Sequence, residues 1–500
     1  MNAHRLADLL AGIAGRERCG DIVVHGLALD SRRAQAGDAF IALRGTTAHG
    51  ITFAPAALAQ GASAVIAEGP APAAPSASAA GERVAAPTIW VERLREHVGE
   101  IAARFFDRPS AALHVIGVTG TNGKTSIVQL LANALSGLGE AAATIGTLGA
   151  GMVGQVRAGE RTTPDAISVQ ALLAEFRDEG ALHVAMEVSS HALEQGRVNA
   201  VGFEVAVFTN LTRDHLDYHG TMEAYGAAKA RLFAWPDLRA AVINADDGFG
   251  RALAAGLRPD VRRLRYGVET EDAEIRARGI RSSTAGLSFG LITPWGEGAI
   301  ASPLLGRFNV YNLLAVAGCL GALGYTFAQI QAALGRLQPV AGRMNRVGGG
   351  ADGPLVVVDY AHTPDALEQA LTSLRAHCVG RLVCVFGCGG ERDRGKRPQM
   401  GAIAERLADA IVVTDDNPRG EDGDSIVAEI LAGLSWPQEA VVQRNRAAAI
   451  AQALQAAQAG DIVLIAGKGH EPYQEIAGTK LPFDDADVAR RALEARPCSH

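Results

Sequence analysis

Long apolar runs are missing from this 500-residue chain: no stretch of about twenty apolar residues occurs, so no membrane-spanning helix is expected. Asp8, Arg16, Glu17, Arg18 and Asp21 interrupt the N-terminal segment, so a secretory leader is not expected. An excess of positive charge is missing too. A formal net charge of −7 argues against a nucleic-acid binder that relies on a broad basic surface. Small anionic ligands stay open, since they need only local Lys, Arg and N–H groups. Cysteine is scarce, with six residues in all. Cys378, Cys384 and Cys388 lie in strand-like apolar surroundings and are expected to be reduced, buried thiols of a cytosolic chain, not a disulfide framework. No repeat period is evident.

What the chain does have is abundant Gly and Ala and a length that suggests about three domains. Ile22–Leu29, Ala39–Leu43 and Ala64–Ala67 read as strands and Phe53–Gln60 as a helix. Residues 68–88, rich in Ala, Pro and Ser, read as a long surface loop. From about residue 93, helices alternate with apolar runs at Val184–Val188, Val205–Thr209 and Ala241–Asn244. The alternation resumes after about 340, at Leu355–Asp359, Leu382–Gly387, Ile411–Thr414 and Ile462–Ala466. Near-continuous apolar strands separated by helices predict parallel α/β sheets covered on both faces, with ligands beyond the carboxyl ends of the strands.

The strand-like run Leu113–Val118 feeds into Thr119-Gly120-Thr121-Asn122-Gly123-Lys124-Thr125-Ser126. Glycines let backbone N–H groups converge on phosphate oxygens, Lys124 supplies a point charge, and Thr125 can ligate Mg²⁺. The common spacing has Gly where Val118 stands. A nucleoside triphosphate site is expected from Gly120 to Ser126. Glu187 closes the next strand before Ser189-Ser190-His191 and is placed to hold or orient Mg²⁺. The following strand ends in Asn210-Leu211-Thr212-Arg213-Asp214-His215-Leu216-Asp217-Tyr218-His219. His215 and His219, four apart, allow a zinc reading; the absence of an HExxH pattern and the adjoining phosphate loop favour Mg²⁺. Read alone, Lys229 is a surface lysine.

Thr-Gly-Thr-Asn-Gly-Lys-Thr, Met-Glu-Val-Ser-Ser-His, Asn-Leu-Thr-Arg-Asp-His-Leu-Asp-Tyr-His and the spaced Lys229 together resemble the Mur ligases of peptidoglycan synthesis, over essentially the whole chain. The resemblance implies an α/β chain of three domains: a UDP-muramoyl-binding domain (1–92), a central ATPase with a parallel sheet (93–340), and a Rossmann-like amino-acid domain (341–500). It implies that Lys229 is carbamylated by CO₂ and helps Thr125, Glu187 and His215 to hold Mg²⁺. It implies that Lys124, Glu187, His215 and Lys229 are the catalytic set. By resemblance, Asn309 in Gly306-Arg307-Phe308-Asn309 meets adenine, although spacing alone reads equally well as a polar helix start. By the same resemblance, Arg343 and Asp359 close over the nucleotide's phosphates and ribose from the third domain.

Leu29 and Ser31 resemble the contacts of the uridine diphosphate, and Thr162, Thr163, Ser189, Gln195 and Arg197 those of the muramoyl dipeptide. Three positions depart from the pattern. His49 replaces an Asp in Gly45-Thr46-Thr47-Ala48-His49-Gly50, Arg161 stands where Asn is frequent, and Asn345 where Glu is frequent.

The run Gly389–Pro398 is strongly basic and reads either as a solvated loop or, after an apolar strand, as a carboxylate receiver through Arg392. Asp416-Asn417-Pro418-Arg419 resembles the loop of ligases that add meso-diaminopimelate, whose distal carboxylate a guanidinium can grip with two hydrogen bonds. Lysine lacks that carboxylate and would leave the guanidinium unpaired, at a cost on the order of 2–5 kcal/mol. Gly467 and Glu471, in Gly467-Lys468-Gly469-His470-Glu471, resemble the groups that face the distal amine; without the family this run reads as another phosphate loop. The implied activity is ATP-dependent ligation of meso-diaminopimelate to UDP-N-acetylmuramoyl-L-alanyl-D-glutamate through an acyl phosphate. The implied context is a cytoplasmic monomer with small-molecule partners only. The nearest other reading is a lysine-adding ligase, against which Arg419 weighs; two more are folylpolyglutamate synthesis and a nucleotide-switched binding module. Ser31 and Thr162-Thr163-Pro164 weigh against the folate reading; the joint presence of Lys124, Glu187, His215 and Lys229 weighs against the binding module.

Overall fold

The computed structural model describes residues 3–45, 47–71, 87–348 and 353–495, apart from the Arg18 side chain. Thr46 and most of the Ala/Pro/Ser-rich loop, residues 72–86, lie outside the described residues. The chain forms two compact units, Met1–Tyr266 with Gly318–Tyr325 and Gly267–Ala317 with Thr326–His500.

The first unit begins with four parallel strands in chain order: β1 (Gly26–Ala28), β2 (Asp38–Ala42), β3 (Ala64–Glu68) and β4 (Thr88–Val91). Alternate residues serve opposite faces, as the two-residue strand period requires. Ile41, Ile66 and Ile89 pack with Leu6, Leu10 and helix α1 (Leu94–Phe105), whereas Phe40, Ala42, Val65 and Ala67 pack with Ala54 and Ala57. The expected single strand Ile22–Leu29 is split. Val23–Val24 pairs antiparallel with His4–Arg5, while β1 pairs with β2, so the chain changes partner at His25.

Seven more strands follow: β5 (His114–Thr119), β6 (Ala142–Gly146), β7 (Gly149–Met152), β8 (His183–Glu187), β9 (Phe203–Phe208), β10 (Ala240–Asn244) and β11 (Arg262–Gly267). Their order is β11-β10-β9-β5-β8-β6-β7, parallel except for the β6–β7 hairpin. Val115, Val184, Met186, Phe203, Ala206 and Phe208 join one buried core, as the apolar runs predict. The chain leaves β5 toward β6 on one side and later returns through β9 on the other. The carboxyl ends of β5, β8 and β9 therefore border a topological switch point, where open α/β sheets bind ligands. Helix α2 (Lys124–Gly137) starts there, directly after β5. Helices α3 (Ala166–Asp178) and α4 (Met222–Ala230) follow β7 and β9.

The second unit opens with an antiparallel meander, β12 (Ile275–Ser283), β13 (Gly286–Thr293) and β14 (Gly296–Ser302). Its main sheet contains β15 (Asn345–Arg346), β16 (Leu355–Asp359), β17 (Leu382–Phe386), β18 (Ala410–Val413), β19 (Val441–Val442) and β20 (Ile462–Ala466). The order is β15-β16-β20-β17-β18-β19, parallel apart from β15. Helix α5 (Lys396–Leu407) precedes β18, and a hairpin, β21 (Tyr473–Ile476) with β22 (Thr479–Pro482), follows β20. Both sheets are thus α/β sheets of the predicted kind. Cys19, Cys319, Cys384 and Cys388 are buried free thiols, and Cys378 is free and half-buried.

Candidate functional site

At the end of β5 the backbone turns through Gly120 (φ +143°) and Gly123 (φ +88°), conformations that side chains rarely adopt. A Cβ at Gly120 would also overlap Thr209 Oγ1. The loop is tied to the segment after β9: Thr121 N donates to Asn210 O (2.8 Å), Asn122 N to Asn210 Oδ1 (3.0 Å), and Thr209 Oγ1 to Asn122 O (2.6 Å). Lys124 Nζ folds back onto the carbonyls of Gly120 (2.9 Å) and Thr121 (2.8 Å). Thr125 and Ser126 are buried in the first turn of α2.

Lys229 contradicts its reading as a surface lysine. It is only 1 % exposed, its Nζ donates to Gly120 O (2.8 Å) and lies 4.3 Å from the centre of the Tyr225 ring. Burial, with the neighbouring Lys124 charge, pushes its pKa down to about 6, against a weaker opposite pull from Asp214. This shift favours the neutral ε-amine near pH 7. Tyr225 and Lys229 are one helical turn apart on α4, so their shared face was readable from spacing; the burial of that face was not.

Glu187, 1 % exposed, ends β8 opposite Val118 of β5. Its Oε1 accepts from Thr147 N (2.7 Å) and its Oε2 from Thr147 Oγ1 (3.2 Å). A carboxylate can take about four hydrogen bonds or ligands, so lone pairs remain on both oxygens. Together with the Thr125 hydroxyl this is a hard oxygen donor set, suited to Mg²⁺. His215 is half-exposed and sits in the left-handed region (φ +52°), a strained conformation that collects at functional sites. Its ring packs against His191, with centroids 4.9 Å apart, and His191 packs on Tyr218. His219 does not face outward with His215: it bonds Ser190 Oγ (2.9 Å) and Glu194 (3.1 Å). Among the described residues no group of three or more His, Cys, Asp or Glu is arranged to hold a metal by itself.

Beside Glu187, residues far apart in sequence meet. The buried Thr163 Oγ1 donates to Glu187 O (2.8 Å) and accepts from Ser189 N (3.2 Å). Arg197 donates to Thr163 O (2.9 Å) and to Gln195 Oε1 (2.6 and 3.0 Å), and Gln195 Nε2 to Tyr218 OH (3.0 Å). Thr162 Oγ1 lies 3.1 Å from Thr147 Oγ1. One network thus contains Thr162, Thr163, Ser189, Gln195, Arg197 and Glu187. Arg161, exposed, adds to burial in pushing the Arg197 pKa down.

Near β1, Ser31 is buried in a short turn capped by Asp30, which accepts from Arg32 N (3.0 Å). Leu29 is half-buried against the first core. His49 takes over a capping role that an Asp could play: its Nδ1 accepts from Ile51 N (3.1 Å) while Nε2 lies 2.8 Å from Glu68 O.

In the second unit, Asn309 is buried and engaged with Leu305 O (2.7 Å) and Asn312 (2.8 Å). Asp359 Oδ2 accepts from Met344 N (2.7 Å); burial pushes its pKa up, partly offset by that bond and by Arg343. Arg343 lies 5.3 Å from the Tyr360 ring centre, and its Nε is buried without a partner.

Beyond β18 and β20, Asp416 and Asn417 are buried around a fully buried Lys468, whose Nζ donates to Asn417 Oδ1 (2.9 Å) and lies 3.4 Å from Glu471 and 3.8 Å from Asp416. Asn417 Nδ2 donates to Glu471 Oε2 (2.9 Å). Gly467 (φ +119°) approaches Asp416 so closely that a Cβ would stand 2.6 Å from its Oδ2. Pro418 is buried and precedes Arg419, which is left-handed (φ +53°). Arg419 Nη1 donates to Gly390 O (2.8 Å), and its Nε lies 3.5 Å from Glu475 Oε2. The guanidinium is therefore partnered in the free chain, which tempers the expectation that an amino acid lacking a distal carboxylate would leave it unpaired.

The basic run behaves in two ways. Arg397, fully buried, pairs with Glu421 and Glu429 (both 2.7 Å), and Arg394 also pairs with Glu429. Arg392 stays exposed beside Gly389 and Arg419. Sequence reasoning missed Thr147, Lys468, Tyr360 and Glu475. Only Lys468 carried a signal, inside the glycine-rich run after β20.

Family models match this chain in three places: the Mur ligase family catalytic domain at residues 23–106, the Mur ligase middle domain at 118–320, and the Mur ligase glutamate ligase domain at 342–469. A protein of Xanthomonas oryzae pv. oryzae, named UDP-N-acetylmuramoyl-L-alanyl-D-glutamate–2,6-diaminopimelate ligase, is 59 % identical over 479 residues, covering 95 % of each chain. A Pseudomonas aeruginosa protein of the same name is 52 % identical over 482 residues, covering 96 % of this chain and 97 % of its own. A solved structure carrying that name superposes with a TM-score of 0.73 at 40 % identity, covering 94 % of this chain and 95 % of that one.

Proposed function

The chain belongs to the Mur ligase family, and we propose that it joins meso-2,6-diaminopimelate to UDP-N-acetylmuramoyl-L-alanyl-D-glutamate with cleavage of ATP to ADP and phosphate. ATP phosphorylates the γ-carboxylate of the D-glutamate, giving an acyl phosphate and ADP. The diaminopimelate amine attacks the acyl carbon, and the tetrahedral intermediate collapses to amide and phosphate, with the amine proton lost to solvent or base. No covalent enzyme nucleophile is needed. We assign the step to cytoplasmic peptidoglycan precursor synthesis, since ATP and a UDP-linked acceptor are cytoplasmic metabolites, and we take the working unit to be a monomer.

Each group has a role that follows from its surroundings. The N–H groups of Gly120–Ser126 and the Lys124 ammonium cradle the phosphates, and Lys124 stabilises the charge that develops on the transferring group. Thr125, Glu187, His215 and a Lys229 carbamate would hold Mg²⁺, which supplies charge neutralisation between two anionic substrates. Asn309, Arg343 and Asp359 hold the nucleoside end. Leu29 and Ser31 take the uridine diphosphate. The Thr162, Thr163, Ser189, Gln195 and Arg197 network takes the dipeptide, orienting its carboxylate and so lowering the entropic cost of transfer. Arg392, Asp416, Asn417, Pro418, Arg419, Gly467 and Glu471 take the distal centre of diaminopimelate. For these roles we propose a division at 1–92, 93–340 and 341–500, with α1 shared between the first sheet and α3.

The observation that most supports the diaminopimelate reading is the pairing of opposite charges around one loop: Arg419 for a carboxylate, and Glu471 with the Gly467 carbonyl for an ammonium. The test is the mass of the UDP-linked product after incubation with ATP, Mg²⁺, acceptor and meso-diaminopimelate. A product heavier by one diaminopimelate residue supports the reading; unchanged acceptor refutes it.

A further inference from the structure

The β21–β22 hairpin delivers a carboxylate to the amino-acid loop. Glu475 N donates to Asn417 Oδ1 (2.9 Å), Arg419 N donates to Glu475 O (3.0 Å), and Ala477 N donates to Arg419 O (2.7 Å). These bonds fix the hairpin against Arg419 through groups that Gln or Asp at position 475 would keep. The Glu475 carboxylate then stands 3.5 Å from Arg419 Nε, with the two side chains only 22 % and 19 % exposed. Lys480 faces Glu475 across the hairpin, but its ammonium lies over the Tyr473 ring, 4.3 Å from the centre.

A guanidinium offers two edges that can grip a carboxylate with parallel hydrogen bonds, Nε with Nη2 and Nη1 with Nη2. Here Glu475 faces the first edge, and Gly390 O takes a donor of the second. An incoming carboxylate that grips the Nε–Nη2 edge must displace Glu475, which also repels it.

Resting on the reading of Arg419 as the group that meets the distal carboxylate, we propose that Glu475 is a specificity-determining residue, an internal stand-in for that carboxylate. It lowers the affinity for the correct amino acid, which must displace it. It also keeps Arg419 paired when an amino acid without a distal carboxylate occupies the site, and so softens the rejection of lysine. Glu475→Gln removes the charge and keeps the shape and the backbone bonds.

The experiment compares wild type, Glu475→Gln, Glu475→Asp and the same Gln change in an Arg419→Ala background, by steady-state phosphate release at saturating ATP and acceptor. Glu475→Gln is expected to lower the KM for meso-diaminopimelate about two- to fivefold, the range of partly exposed ion pairs, with kcat and the KM for ATP unchanged. L-lysine is expected to become a weaker competitor by a similar factor. Glu475→Asp, which keeps the charge but draws it back by one methylene, falls between wild type and Glu475→Gln, and the Gln effect disappears in the Arg419→Ala background. A KM for meso-diaminopimelate that rises or stays constant in Glu475→Gln overturns the proposal while leaving the ligase reading intact. A wild type without diaminopimelate-dependent turnover overturns both.

Discussion

Lys229 gives the sharpest perturbation. An amine reacts with CO₂ only when uncharged, and an ordinary lysine with pKa 10.5 is about 0.1 % neutral at pH 7.5. Burial beside Lys124 brings Lys229 to about 6, so that about 97 % of the side chain is neutral at the same pH, roughly a thousandfold enrichment of the reactive form. Carbamylation turns this amine into a carboxylate-bearing anion and releases a proton. The wild-type protein in ¹³C-bicarbonate at pH 7.5 is expected to show one carbamate carbon signal that is absent from Lys229→Met. Stripping CO₂ should lower activity, and bicarbonate should restore it. Lys229→Ala should lose about two to three orders of magnitude in kcat, the scale of one electrostatic stabiliser, with partial rescue by short carboxylates. The pH dependence has a definite sign. Between about 6 and 10.5 the unfolded chain carries a proton on this residue that the folded chain lacks, so its contribution to stability falls as pH is lowered through that window and levels off below about 6. Absence of a labelled carbon, together with full activity of Lys229→Ala, would refute the reasoning.

Other positions give independent tests. Arg397→Met leaves Glu421 and Glu429 without their buried partner and is expected to cost about 2–4 kcal/mol in urea unfolding; a change below about 0.5 kcal/mol would show that the buried pairs are worth little. Gly120→Ala forces a Cβ onto Thr209 Oγ1 at φ +143° and should reduce ATP turnover about a hundredfold, whereas near-normal turnover would mean that the loop adapts freely. Arg419→Ala should raise the KM for meso-diaminopimelate thirtyfold or more, with little change in the KM for ATP; equal effects on both would remove its selective role.

The strands were legible because parallel sheets covered on both faces need near-continuous apolar runs: Leu355–Asp359 and Ile462–Ala466 were read to the residue. The phosphate loop was legible because its glycines, lysine and hydroxyl sit next to one another. Lys229 was not legible on its own, since its burial comes from the packing of α4 and from the Gly120 carbonyl, more than a hundred residues away. Glu475 left no signal because its importance rests on a hairpin paired with Arg419 through two backbone bonds, which almost any sequence can make. The basic run 389–398 misled in part for the same reason. Glu421 and Glu429, distant in sequence, pair with the buried Arg397 charge, and Arg392 stays exposed. His49, a departure from the family pattern, kept a capping function by presenting its Nδ1 where a carboxylate oxygen could serve.

The most direct test of the account is phosphate release with ATP, Mg²⁺ and UDP-N-acetylmuramoyl-L-alanyl-D-glutamate, comparing meso-diaminopimelate with L-lysine as the amine. Strong release is expected with meso-diaminopimelate and little with L-lysine. Equal release with both would contradict the role given to Arg419, and no release with either would contradict the ligase itself.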